Sequence, residues 1–123
     1  MNRLIRFRGQ RIDSDMWIYG YYHFDFRSQK HVIRCDSSMG VIVDDVFLVK
    51  PETVGQFTGL CDKNGIDIYE GDILCVSHLE GTNHQTRFEM YWDSERCGWL
   101  DYSPKGAFEV IGNIYENPEL LNK

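Results

Sequence analysis

An all-β fold built around a small barrel is what this sequence predicts, and three observations predict it. Apolar and polar residues alternate with a period of two through most of the chain, the pattern of half-buried strands. Turn-forming clusters interrupt these runs at roughly ten-residue spacing, with no long helical pattern between them. The composition is 42% hydrophobic with 14% aromatic residues, a balance that favours packed β structure over helix or disorder.

Residues 4–9 alternate Leu4, Arg6 and Arg8 against Ile5 and Phe7, so the first strand has one apolar face and one basic or mixed face and is expected to be partly covered. Residues 16–26 are too aromatic and too poor in helix formers for a helix and read as a strand, with Gly20 at a bulge or a close-packing point. A polar connection, Arg27-Ser28-Gln29-Lys30, leads into a partner strand at 31–35, and residues 36–40 form the next turn. Residues 41–43 and 46–49 flank Asp44-Asp45 as two short strands or as one strand with a charged bend. Pro51 cannot donate to a ladder and holds Lys50 extended, which marks a boundary between an N-terminal segment, 1–50, and a second part, 51–123, unless the two form one continuous domain.

Beyond that boundary the turn signals are densest. Asp62-Lys63-Asn64-Gly65 reverses a hairpin, with Gly65 left-handed; Ile66 and Ile68 then face one side of a strand, and Glu70-Gly71-Asp72 turns the chain into the apolar run 73–76. A polar loop at 77–83 precedes the cleanest alternation, in which Thr86, Phe88, Met90 and Trp92 oppose Gln85, Arg87, Glu89 and Tyr91. Further strands are expected at 97–102 and 107–115, with turns at 93–96 and 103–106 and a bulge at Gly112. Asn117 caps a last helical turn that begins with Pro118 and docks Leu120 and Leu121. The five strands from 54 to 115 suffice for a small closed or nearly closed barrel.

The net charge of −6 argues against a protein whose whole surface grips nucleic acid. The charge is uneven: residues 1–34 hold seven basic side chains against three acidic, and the remainder six against sixteen. The first third therefore suits an acidic surface, such as a neighbouring subunit, or a polyanion, unless these charges are simply scattered in solvent. Trp17, Tyr19, Tyr21, Tyr22, Phe24 and Phe26 lie close in sequence to Arg3, Arg6, Arg8, Arg27 and Arg34. Such interleaving suits a protein hot spot or a single-strand stacking platform. Arg6, Arg8, Trp17, Tyr19 and Tyr21 are the candidate binding residues; packing in the core or against a subunit is the structural alternative.

No catalytic signature is visible. Asp62, Asn64, Gly65, Glu70, Gly71 and Asp72 have structural uses in turns, and with Asp67 they lack the spacing of a calcium loop. Cys35, Cys61, Cys75 and Cys97 contain no paired ligand spacing and read as reduced thiols. His23 and His31 could face each other across one hairpin; Cys75, His78 and His84 are the candidates if a metal or a Cys-His nucleophile exists. No metal or cofactor is implied. No apolar run is long enough to span a bilayer, and charge interrupts residues 1–6, so a cytoplasmic location without membrane contact is expected.

Three separated blocks carry a family resemblance. They are residues 51–60 (Pro-Glu-Thr-Val-Gly-Gln-Phe-Thr-Gly-Leu), Asp62-Lys63-Asn64-Gly65 with Ile68-Tyr69-Glu70-Gly71-Asp72-Ile73, and residues 109–121 (Glu-Val-Ile-Gly-Asn-Ile-Tyr-Glu-Asn-Pro-Glu-Leu-Leu). In this order they resemble the YopX family, proteins mostly encoded by bacteriophages and prophages. Ile5-Arg6-Phe7-Arg8-Gly9 and Met16-Trp17 resemble its start more loosely. Cys61 departs from the family at a position more often polar. The resemblance implies an SH3-like barrel for the C-terminal part, an N-terminal β extension or subdomain, and no established reaction. The expected function is a non-enzymatic phage or prophage accessory module for binding or assembly, self-associating through residues 1–34. The alternatives are nucleic-acid binding through the N-terminal face and a small metal-dependent hydrolase.

Overall fold

The aromatic run of the first third is a strand, and it lies at the centre of an antiparallel meander. The computed structural model describes residues 4–35, 46–77, 85–95, 98–99 and 108–121. Contacts divide the chain into two units, Met1–Phe57 and Thr58–Lys123, with the division inside one strand beyond Pro51. The expected strand at 41–43, the Asp44-Asp45 bend, the turns at 36–40 and 103–106, His78, His84, Cys97 and most of the 77–83 loop lie outside the described residues.

In the first unit, β1 (Phe7–Gln10), β2 (Trp17–Asp25), β3 (Lys30–Cys35) and β4 (Val46–Leu48) follow one another as antiparallel neighbours, and the start of β5 (Gly55–Cys61) pairs on the far side of β1. Register fixes which residues share a face. Phe7 opposes Gly20, which opposes Cys35, while Tyr22 opposes Ile33 and Ile33 opposes Phe47. That set faces inward: Ile18, Ile33 and Val49 form the buried cluster, with Phe7, Tyr22, Cys35, Phe47 and Val54 packed against it. Gly9 lies within this set because a Cβ there would meet Ile33 and Val49, each at 3.2 Å. The ladders run through Gly20 without a register shift, so the expected bulge is absent and Gly20 is simply buried opposite Phe7.

The β2–β3 turn uses Asp25, not glycine. Its carboxylate accepts the Arg27 N–H at 3.1 Å and the Ser28 hydroxyl at 2.9 Å, and its carbonyl accepts the Gln29 N–H at 2.7 Å. Gln29 closes the reversal at φ 57°, a left-handed conformation that a side chain with a Cβ adopts at a cost.

Neither side of β1 is open. Beyond the short ladder to β5, the Gln10 N–H donates to Thr53 Oγ1 at 2.9 Å, and the Gln10 carbonyl accepts the Lys50 N–H at 2.8 Å. Thr53 ends the Pro51–Thr53 3-10 turn and donates back to the Lys50 carbonyl at 2.7 Å. Ile12 N–H donates to the Leu48 carbonyl, and Arg11 bridges to Val49, so the end of β4 returns to the end of β1. The backbone polar groups that an isolated first strand would expose are satisfied within the chain.

In the second unit β5 continues beside β6 (Asp67–Tyr69), and β7 (Asp72–Ser77) lies between β11 (Phe108–Asn113) and β8 (Gln85–Glu89). β7 is paired on both edges, and Ile73, Leu74 and Val76 are all buried, which accounts for its unbroken apolar run. Ile68, Leu74, Val76, Phe88, Met90 and Phe108 form the core, with Phe88 and Phe108 edge to face at 6.0 Å. β9 (Trp92–Asp93) and β10 (Gly98–Trp99) make a short hairpin in which Trp92 meets Trp99 at 5.3 Å.

Three expectations change here. The 84–92 alternation is interrupted: Met90 is buried, its N–H donating to the Asp72 carbonyl, and the chain then leaves the ladder so that Trp92 is exposed. Ile66 is exposed because its backbone closes the Asp62 turn before the strand begins. Pro118–Leu121 forms a 3-10 turn; Leu120 is half-buried beside Gly112 but Leu121 is exposed. The bulge at Gly112 is present as a register shift between Val110 and Gly112. The protein is all-β, and among the described residues its strands form open sheets with no pairing that closes a barrel.

Candidate functional site

Alternation along β2 places Trp17, Tyr19, Tyr21 and His23 on the face opposite the buried cluster, and register brings other strands to the same face. Arg8 opposes Tyr19, Gln10 opposes Trp17, Arg34 opposes Tyr21 and Val46 opposes Arg34. Tyr19 is 45% exposed and Tyr21 51%, and Val46 and Leu48 are also exposed, whereas Arg8, Gln10 and Val32 of the same register set are buried, so the face is open at these apolar and aromatic positions and covered between them. Tyr22, by contrast, turns inward and bonds to His31 Nδ1 at 2.6 Å.

The five sequence candidates divide by role. Tyr19 and Tyr21 are accessible, Trp17 and Arg6 are half-buried, and Arg8 is buried. Arg8 belongs to a strand expected to be partly covered; its guanidinium lies 4.6 Å from the centre of the Trp17 ring, stacked on it. Its role is to fix the ring plane of Trp17, while charge at the surface comes from other cations. Arg34, named in the sequence among the cations near these aromatics, joins this face, and so do Val46 and Leu48, which were missed. The residue alternation held the signal, but only the strand register, set across loops, brings them beside Tyr21.

Next to β4 in the same unit is a half-open cavity of about 190 Å³. Ile12, Leu48, Val49 and Pro51 give it apolar walls, with Gln29, Lys30 and His31 as its polar lining. It is smaller than the roughly 300 Å³ at which sites for drug-sized ligands begin.

Two carboxylates of the second unit, Asp62 and Asp72, are taken up in turns. Asp62 is 6% exposed, and its side chain accepts backbone N–H groups from Asn64 at 2.8 Å, Ile66 at 2.9 Å and Val110 at 3.0 Å. Burial pushes this carboxyl up, but the three N–H donors and nearby Lys63 outweigh it and hold the acid below its ordinary range. Asp72 accepts the Tyr69 N–H at 2.8 Å and is buried. Gly71 sits between them at φ 92°, its N–H donating to the Met90 carbonyl and its own carbonyl accepting the Ile114 N–H, each at 2.9 Å. A Cβ on Gly71 would lie 2.9 Å from the Tyr115 ring. Asn64, Gly65 and Glu70 complete these turns.

Cys61 is poorly set for nucleophilic work. Cys61 is exposed, and the hydrogen bond from Sγ to Asp67 Oδ1 at 3.4 Å raises its pKa, with burial and the Asp67 and Asp62 charges adding to the effect. A protonated thiol is the weaker nucleophile. Among the described residues no group of three His, Cys, Asp or Glu side chains could hold a metal ion. Nor is any helix among them long and apolar enough to cross a membrane.

A family model described as YopX protein matches residues 6–122. The chain belongs to the YopX family. The match spans both units, and so does the likeness to a solved structure: the crystal structure of protein EF1440 from Enterococcus faecalis is 28% identical over 98% of this YopX chain and 100% of the other, with a TM-score of 0.62. No curated protein matches. In this YopX chain two of the three blocks that carried the resemblance are the Asp62, Gly71–Asp72 and Gly112–Asn117 junctions of the second unit, and the other, residues 51–60, holds the Pro51–Thr53 turn and most of β5.

Proposed function

We propose that this protein is a non-enzymatic binding module, a phage or prophage accessory protein acting in the cytoplasm, whose contact surface is the outward face of β1 to β4. The observation that carries the reading is the pair of exposed tyrosines on adjacent outward positions of β2, backed by Trp17 stacked on Arg8 and flanked by Arg34. Aromatic side chains give large contact area at low entropic cost, and arginine adds directed donors. The second unit serves as an SH3-like scaffold whose turn carboxylates Asp62 and Asp72 are occupied by backbone donors. A hydrolytic role would need a reacting group, and among the described candidates Cys61 and Asp62 are set against it. Hydrolytic turnover that requires an added divalent metal and is lost on His78→Ala would overturn the binding reading.

Self-association is the second reading, favoured by charge. Thr58–Lys123 holds twelve acidic side chains against five basic, so the cationic face of one copy suits the second unit of another. Sedimentation across concentration and salt tests it: a mass that rises with concentration and falls with salt is expected, and a strict monomer at high concentration would defeat it.

A further inference from the structure

We infer that the cavity beside β4 is a binding site for a small aliphatic carboxylate, an inference that goes beyond the contact face and does not depend on it. The cavity lies where the end of β4 passes from β3 to β1. The Val49 N–H donates to the His31 carbonyl at 3.1 Å, the Ile12 N–H to the Leu48 carbonyl at 3.0 Å and the Lys50 N–H to the Gln10 carbonyl at 2.8 Å. These bonds hold in place the segments that supply the lining. Its walls are apolar, and Ile12 and Leu48 stay exposed beside it, so they forgo contacts that an occupant with an apolar body would restore. A cavity of about 150 Å³ takes a six-membered aromatic ring, so about 190 Å³ with an open side takes a branched chain of about five or six carbons.

The polar lining is preset. Tyr22 Oη lies 2.6 Å from His31 Nδ1, the two rings stack at 5.9 Å, and Phe24 meets the imidazole from 5.0 Å. With the hydroxyl donating, the ring proton is on Nε2, which has no partner among the described residues. Gln29 lines the cavity at φ 57°, where glycine would make the turn with less strain.

Charge selects an acid. Lys30 is exposed, and no ion pair takes it among the described residues. The described carboxylates near the lining in the chain are otherwise engaged or stand outside it. Asp25, across the ladder from Lys30, accepts the Arg27 N–H and the Ser28 hydroxyl; Asp13 pairs with Arg11 at 2.9 Å and Asp15 with Lys50 at 3.2 Å. Glu52 is exposed and not part of the lining. One free ammonium beside an oriented imidazole suits a single carboxylate, and the apolar walls exclude an anion without a tail.

A proton–nitrogen NMR titration of the full chain with 4-methylpentanoate tests this. Saturable shifts of the Ile12, Gln29, Lys30, His31, Leu48 and Val49 amides are expected, with a Kd of about 1 mM for so few atoms. Acetate should give no saturable shift, and the neutral 4-methylpentanamide should bind about threefold more weakly than the acid. Lys30→Gln should bring the acid down to the amide and leave the amide unchanged. Ile12→Trp, a bulky ring at an exposed lining position, should abolish both. Circular dichroism checks the variants; should Ile12→Trp melt early, Lys30→Gln carries the test. No saturable shift of the wild type, equal binding of acid and amide, acetate acting as the longer acid does, or unchanged binding by folded Lys30→Gln would overturn the inference.

Discussion

Asp62 shows how much one side chain can settle. A carboxylate that accepts three backbone N–H groups ties the 62–66 turn to β11, a contact across 48 residues of sequence. Asp62→Ala leaves those donors without their anion and should cost about 3 kcal/mol, read from denaturant unfolding. Because its folded pKa is depressed, its contribution is fully present above the ordinary carboxylate value and is lost as pH falls through the lower folded one. Glu89 has the opposite sign. Burial and then the nearby Glu70 charge raise its pKa, so the fold is penalised as pH rises from the ordinary glutamate value through the raised one. Glu89→Gln should therefore melt higher than wild type at about pH 7.5 and lose that advantage at about pH 4; a gain that persists in acid would contradict the assignment.

At the scale of elements, turns were more legible in the sequence than strand ends. The Asp62–Gly65 reversal, the Gly71 junction and the Gly112 bulge could be read because left-handed or crowded backbone demands particular residues locally. Gly71→Ala, which combines φ 92° with a ring 2.9 Å from the new methyl, should cost at least about 3 kcal/mol in a melting or denaturant series. Strand limits depended on distant partners: nothing around Met90 says that its N–H goes to Asp72, or that Trp92 is thereby freed to face solvent. The 27–30 connection was legible as polar, but its left-handed position was not, since Gln29 is not the glycine or asparagine that marks such positions. Gln29→Gly should relieve that strain and stabilise the hairpin by about 0.5–1 kcal/mol after the entropic cost of glycine.

For the whole molecule, the candidate site was half legible. Tyr19 and Tyr21 were found by alternation, and they are exposed; Arg8 was named as a candidate binding residue and is buried, paired across from Tyr19 with its guanidinium on the Trp17 ring. Arg34, Val46 and Leu48 joined the face through register that no local pattern encodes. The account thus divides labour between the units: the family's turn motifs hold Thr58–Lys123 together, and Met1–Phe57 carries the contact surface. The most direct measurement is sedimentation across concentration and salt of two proteins, the wild type and the Tyr19→Ala and Tyr21→Ala double variant. The account predicts that the wild type self-associates, and that the double variant melts as the wild type does but stays monomeric. A double variant that associates as strongly as the wild type would contradict it.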